Sequence, residues 1–101
     1  MQQKYTPRPI DTSDVELSEE LRQLTEELAR NVHDIWALGR LNDGWTYSPE
    51  RNDVLKQHPC LVDYDDLPDS EKAYDRNTAM ETLKTILKLG WGIEKNKNQS
   101  A

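Results

Sequence analysis

Aromatic and basic side chains crowd the stretch from His33 to His58 at spacings that could hold a small ligand. On a helix, at about 100° per residue, His33, Trp36 and Arg40 share one flank at intervals of three and four. Gly44 then turns the chain and returns Trp45 and Tyr47 toward that helix end, and Arg51, Asp53, Lys56 and His58 follow without helical period. Aromatic faces, fixed cations and a backbone turn suit a planar, anionic small molecule. An indole stacks a ring, and a guanidinium takes phosphate or carboxylate through two parallel hydrogen bonds. The candidate ligand-binding residues are therefore Trp45, Tyr47, Arg40, Arg51, Lys56, His33 and His58.

Each also has a purely structural role to be weighed. Trp36 follows Ile35 and fits the core better than a ligand platform, whereas Trp45, after a glycine in a loop, is balanced between the two. Arg40 and Arg51 can pair with Asp43 and Asp53, and a surface pair of that kind contributes ~1 kcal/mol or less. His33 reads as a satisfied flank histidine, and Glu26-Glu27 and Asp63 to Asp66 read as solvated surface. Catalytic signatures are missing: no G-x-S-x-G, no P-loop, no G-x-G-x-x-G and no paired histidines on a helix. Cys60 and His58 suggest a nucleophile and base, but Cys60 opens the apolar run Cys60-Leu61-Val62 and reads as buried and inert. No catalytic residue is assigned. One cysteine and two histidines cannot close a structural zinc site without carboxylates, so no metal and no cofactor is expected.

The elements that must position these residues belong to one small domain. The chain has 101 residues and a net charge of -6. Leu, Ile and Val, with no Phe, make up about a fifth of it, close to the level where disorder sets in. Three tryptophans and four tyrosines supply the large buriable surfaces, so the expectation is a folded domain with a thin core, of the kind that gains stability by pairing with a copy of itself. The acidic balance excludes duplex nucleic acid as a partner, because Lys and Arg neutralising phosphate supply most non-specific affinity. No apolar run approaches the roughly 20 residues that span a bilayer, and the N-terminus lacks the apolar core of a signal peptide. A lone cysteine suits a reducing, cytoplasmic setting.

Along the chain, Pro7 and Pro9 predict an extended N-terminal arm anchored by Tyr5 and Ile10. Ser18 is the expected N-cap of a long helix with the apolar stripe Leu21, Leu24, Leu28, Val32 and Ile35. Asn42-Asp43-Gly44 ends it. Val32 and Ile35 are expected to face the core. The segment 45–66 reads as irregular, with short β-prone pieces at Trp45 to Tyr47 and Cys60 to Tyr64. Pro68 opens a short helical turn, and Thr78 to Glu81 matches a capping box for a second helix carrying Met80, Leu83, Ile86 and Leu87 and stopped by Gly90. Trp91-Gly92-Ile93 is expected as an extended return beside Trp45 to Tyr47. Together these predict a mostly helical α+β fold: two main antiparallel helices, short strands and a long irregular connection. The domain should occupy residues 1–94, with 95–101 a disordered polar tail.

Five segments in order resemble the ryanodine-receptor repeat, the RyR domain. They are Y-x-P-x-P-I-D-T-S at Tyr5 to Ser13, L-A-x-N-x-H-D-x-W-A at Leu28 to Ala37, G-W-x-Y at Gly44 to Tyr47, K-x-H-P-C-L-V at Lys56 to Val62, and E-T-L-K-T-I-L at Glu81 to Leu87, closed by L-G-W. The resemblance is to the single-repeat prokaryotic or viral type and implies an α+β module of two main helices. In the large calcium-release channels such repeats occur as pseudo-symmetric pairs, so a solitary repeat is expected to form a homodimer. One channel repeat pair binds an adenine nucleotide, with the Trp of G-W-x-Y stacking on the base, which implies that role for Trp45. Ser48 and Asn52 depart from the family pattern, where glycine and an acidic residue are common, and bear on whether that site is retained. Two functions follow: a non-catalytic sensor of a nucleotide or nucleotide-derived signal, or a structural module that dimerises in place of a tandem pair.

Overall fold

The computed structural model describes residues 4–96. Helix α1 spans Glu19–Asn42 and helix α2 spans Asp69–Lys88. Between them lie strands β1 (Thr46–Tyr47) and β2 (Gln57–His58) and a 3-10 turn, Tyr64–Asp66. The architecture is the small, mostly helical α+β arrangement expected. No helix among the described residues is long and apolar enough to cross a membrane.

Helix α1 begins as its sequence dictates: the Ser18 hydroxyl accepts the Leu21 N–H, and Glu19 and Glu20 sit in the first turn, where the helix dipole favours negative charge. It ends in a Schellman motif. Gly44 adopts φ +90°, its N–H bonds the Leu41 carbonyl, and the Trp45 N–H bonds the Arg40 carbonyl at 3.0 Å. Helix α2 ends the same way, with Gly90 at φ +97°, its N–H on Leu87 and the Trp91 N–H on Ile86.

The core is built on a different face of α1 from the one the apolar stripe indicates. Ala29 and His33 are buried, while Ile35 is 63 % exposed and Val32, Leu38 and Leu41 also face outward. Ala29 has no side chain beyond Cβ, which lets Tyr64 and Leu67 close onto that flank with Cys60 and Val62 beside them. The large ring of Tyr64, fully buried, fills the space that aliphatic side chains would otherwise occupy.

Helix α2 runs unbroken through the expected capping box. Thr78 lies inside it, its carbonyl accepting the Thr82 hydroxyl, and the Glu81 carboxylate takes the Thr12 hydroxyl at 2.7 Å instead of reaching back to Thr78. Residues 69–77 contain no Gly or Pro, so nothing stops the helix from propagating back to Pro68. The N-terminal arm is held by that Thr12 contact, by Leu17 in the core and by Asp14 paired with Lys88. Tyr5 and Ile10 are exposed and do not anchor it.

β1 and β2 pair in parallel, with Thr46 opposite Gln57 and Tyr47 opposite His58. The second expected strand, Cys60 to Tyr64, has instead moved forward to Gln57–His58, because His58 and Pro59 already begin a turn. Trp91 to Ile93 forms no strand, and Trp91 is 72 % exposed. Of the expected tail, residues 97–101 lie outside the described residues.

Candidate functional site

The Schellman motif fixes the first part of the site. By tying the Trp45 backbone to the Arg40 carbonyl, it delivers the indole over the Arg40 side chain, whose guanidinium carbon lies 4.8 Å from the Trp45 ring centre and 5.7 Å from that of Trp36. The parallel pairing of β1 and β2 then brings His58 alongside, edge-on to Trp36 at 5.0 Å and 6.3 Å from Trp45. Contacts of a cation with an indole face are worth about 0.5–2 kcal/mol depending on solvent access, and Trp36, Arg40, Trp45 and His58 form a half-buried cluster.

Beside it lies a half-open cavity of about 500 Å³, within the ordinary range for small-molecule sites. Helix α1 contributes His33, Trp36 and Arg40; the connection contributes Arg51 and His58 to Cys60; α2 contributes Glu71 and Asp75. His33 is 4 % exposed, and its Nε2 bonds the Val62 carbonyl at 2.7 Å. A carbonyl only accepts, so Nε2 carries the proton and, in the neutral ring, Nδ1 is left as an acceptor. His58 is arranged in the opposite sense: its Nδ1 accepts the Cys60 N–H at 3.0 Å, leaving Nε2–H as a donor in the neutral ring.

Burial lowers the pKa of His58 below its ordinary value, and the nearby Arg51 and Arg40 lower it further. Burial raises that of Cys60, with Glu71 and Asp75 adding to the shift, so the thiol stays protonated. Asp75 is also raised, by burial first and by repulsion from Glu71, with His33 opposing. Arg51 is paired with Asp53 at 2.8 Å. Arg40 does not pair with Asp43, and no ion pair among the described residues uses Arg40, Glu71 or Asp75.

Of the residues singled out by sequence, His33, Arg40, Arg51 and His58 line this cavity together. Trp45 stands behind Arg40 as its support. Tyr47 is exposed on β1, and Lys56 turns away, its Nζ bonding the Asp43 carbonyl at 2.9 Å from a residue at φ +55°. Sequence reasoning missed Glu71 and Asp75. Their one-turn spacing becomes visible only when α2 is continuous from Asp69, which the capping-box reading prevented. Trp36, favoured as core, is half-buried and forms the cavity wall. The acidic runs are not all free surface either: Glu26 holds Arg76, and Asp63 and Asp65 hold Arg30.

A larger, open trough of about 1120 Å³ lies between the first turns of α1 and the segment Ile93 to Asn96. Its lining mixes Leu21, Leu24 and Ile93 with Glu20, Glu27, Glu94 and Lys95, without aromatic faces or an arginine. The smaller cavity is the candidate site on chemical grounds.

The ordered segments on which the resemblance rests thus supply both the core and the cavity wall. The model of the RyR domain family matches residues 5–95, and the chain belongs to that family.

Proposed function

We propose that this RyR domain is a non-catalytic ligand-binding module whose cavity takes a small anionic molecule of the nucleotide class, in a cytoplasmic setting. The observation that carries the reading is Arg40: a guanidinium without a carboxylate partner among the described residues, held by two indoles at the mouth of a 500 Å³ cavity. Its donors are free for a phosphate or carboxylate, and Arg51 and the His58 Nε2–H flank the same space. A binding role is favoured over catalysis by the state of the one thiol. Cys60 is held protonated, and the His58 nitrogen nearest it is committed to a backbone N–H. Isothermal titration with nucleoside phosphates tests the reading. Arg40→Gln should weaken binding about tenfold or more, and Trp45→Ala should weaken it by up to the same factor by releasing the Arg40 side chain. Equal affinity in both variants would overturn it.

A second reading, a protein-interaction module that pairs with a copy of itself, is favoured by the uncovered apolar line Val32, Ile35, Leu38 and Leu41 along α1 and by exposed Trp91. Sedimentation of Ile35→Glu and Trp91→Ala separates the two. Loss of a dimer with ligand binding intact would make pairing an additional property, and a monomeric wild-type protein would remove it.

A further inference from the structure

The N-terminal arm is firmly rooted but has no seat on its own chain. At the root, the Thr12 hydroxyl donates to Glu81, the Val15 N–H closes a turn on the Thr12 carbonyl, and Asp14 holds Lys88. Before the root, every residue from Lys4 to Asp11 is exposed, Tyr5 at 86 %. Lys4 to Ile10 make no hydrogen bond or ion pair among the described residues. Pro7 and Pro9 hold this stretch extended, so it has little conformational entropy left to lose on docking. It presents Tyr5, the two prolines and Ile10 as apolar groups, with Lys4 and Arg8 as its charges and no acid before Asp11.

The trough along the first turns of α1 is complementary to it. Leu21, Leu24 and Ile93 give the trough a half-buried apolar lining. Around them stand three exposed glutamates, Glu20, Glu27 and Glu94, against one lysine, Lys95. None of these glutamates is ion-paired among the described residues. The lengths agree as well. Lys4 to Ile10 spans roughly 19 Å when extended, and the α1 side of the trough, Ser18 to Glu27, runs about 14 Å. The trough also continues into the uncovered apolar line of α1, since Leu24, Leu28 and Ile35 lie within about 40° of one another around the helix.

No residue of the arm lines the trough of its own chain. We infer that the arm seats in the trough of a second copy, reciprocally, so that each chain lends its Lys4 to Ile10 segment to the other. Two arms and two troughs close a symmetric dimer and leave neither unfilled. The inference rests on the reading of this domain as one that pairs with its own copy, and it is independent of the ligand cavity.

The test is charge exchange in the full chain, followed by sedimentation velocity over a concentration series. One variant reverses the arm (Lys4→Glu, Arg8→Glu) and the other reverses the trough (Glu20→Lys, Glu27→Lys). All four positions are exposed, so both variants should fold, as circular dichroism will check. Each variant alone sets like charges against each other and should dimerise about tenfold or more weakly than the wild type. An equimolar mixture matches each reversed arm to a reversed trough, and each original arm to an original trough, and should restore the dimer. A mixture that stays monomeric would overturn arm exchange. So would a dimer of wild-type strength in either variant alone, which would leave pairing through the exposed face of α1 standing. A wild-type chain that is monomeric at 0.1 mM, on the order of the concentrations such weak pairs require, would overturn both.

Discussion

The Arg40 guanidinium lies 4.8 Å over the Trp45 ring, and the two residues are also joined through the backbone, Trp45 N–H to Arg40 carbonyl at 3.0 Å. One local motif therefore sets both ends of the contact. The helix ends where a glycine can take positive φ, and the next residue is directed back onto the last turn. The face of Trp45 toward Arg40 is already occupied, so the indole acts first as a support for the cation. Its removal should disturb the anion site even for a ligand that never touches it.

Gly44 is the position on which this geometry depends. Its φ of +90° is a conformation that L side chains rarely adopt, and a Cβ there would meet no other atom within 4 Å. Gly44→Ala should therefore cost about 1–2 kcal/mol from backbone strain alone. It should also weaken ligand binding by more than the stability loss explains, because Trp45 shifts. Denaturant unfolding with parallel titration checks both; unchanged affinity would show that the turn does not position the site.

The raised pKa of Asp75 carries a sign for stability. Burial and Glu71 disfavour its carboxylate, so the folded chain holds this proton at pH values where the unfolded chain has released it. Stability from this group is greatest at low pH and falls as pH rises from the ordinary carboxylate range through the raised value. Asp75→Asn should raise the unfolding midpoint at pH 7 and have little effect near pH 3. A lower midpoint at pH 7 would contradict the burial argument.

His58 gives the opposite dependence. Its lowered pKa means that the unfolded chain takes up the proton first as pH falls through about 6.5. Its contribution is thus complete above that value and is lost on acidification. Proton NMR should show His58 titrating below 6.5 in the free protein. An anion bound at Arg40 and Arg51 should shift that titration upward by offsetting their charges. No shift at saturating ligand would place the anion elsewhere.

Tyr64 tests the core. Its ring is fully buried, Arg30 and Lys72 approach the ring at 4.9 and 5.9 Å, and its hydroxyl makes no hydrogen bond among the described residues. Removing a buried unsatisfied hydroxyl is close to neutral or stabilising, whereas truncating the ring leaves a cavity. Tyr64→Phe should leave stability within about 1 kcal/mol or raise it, and Tyr64→Ala should lose about 3–5 kcal/mol. A large loss in Tyr64→Phe, measured by thermal unfolding, would mean that the hydroxyl is bonded in solution.

Local signals carried much of this fold. Ser18 with two glutamates, and Gly44 and Gly90 each followed by tryptophan, mark helix ends that the structure reproduces at those residues. The rotation of α1 was not legible, because its apolar stripe is real but lies about a quarter turn from the flank that packs. The choice was made by Ala29 and Tyr64, residues distant in sequence whose fit no periodicity reveals. Similarly, His33, Trp36 and Arg40 could be read from their spacing on one helix. Glu71 and Asp75 come from α2, and only tertiary packing brings them to the same cavity.

The most direct measurement is a thermal-unfolding scan of the wild-type chain and Arg40→Gln against nucleotides, cyclic dinucleotides and dinucleotide cofactors at about 1 mM. A ligand present at 100 times its dissociation constant adds ~2.7 kcal/mol to the folded state, which in a domain this small raises the midpoint by roughly 10 °C or more. A ligand site at Arg40 should give a selective rise of that order in the wild type, lost or strongly reduced in Arg40→Gln. A flat response across the panel, or an equal rise in both proteins, would contradict a ligand site at Arg40.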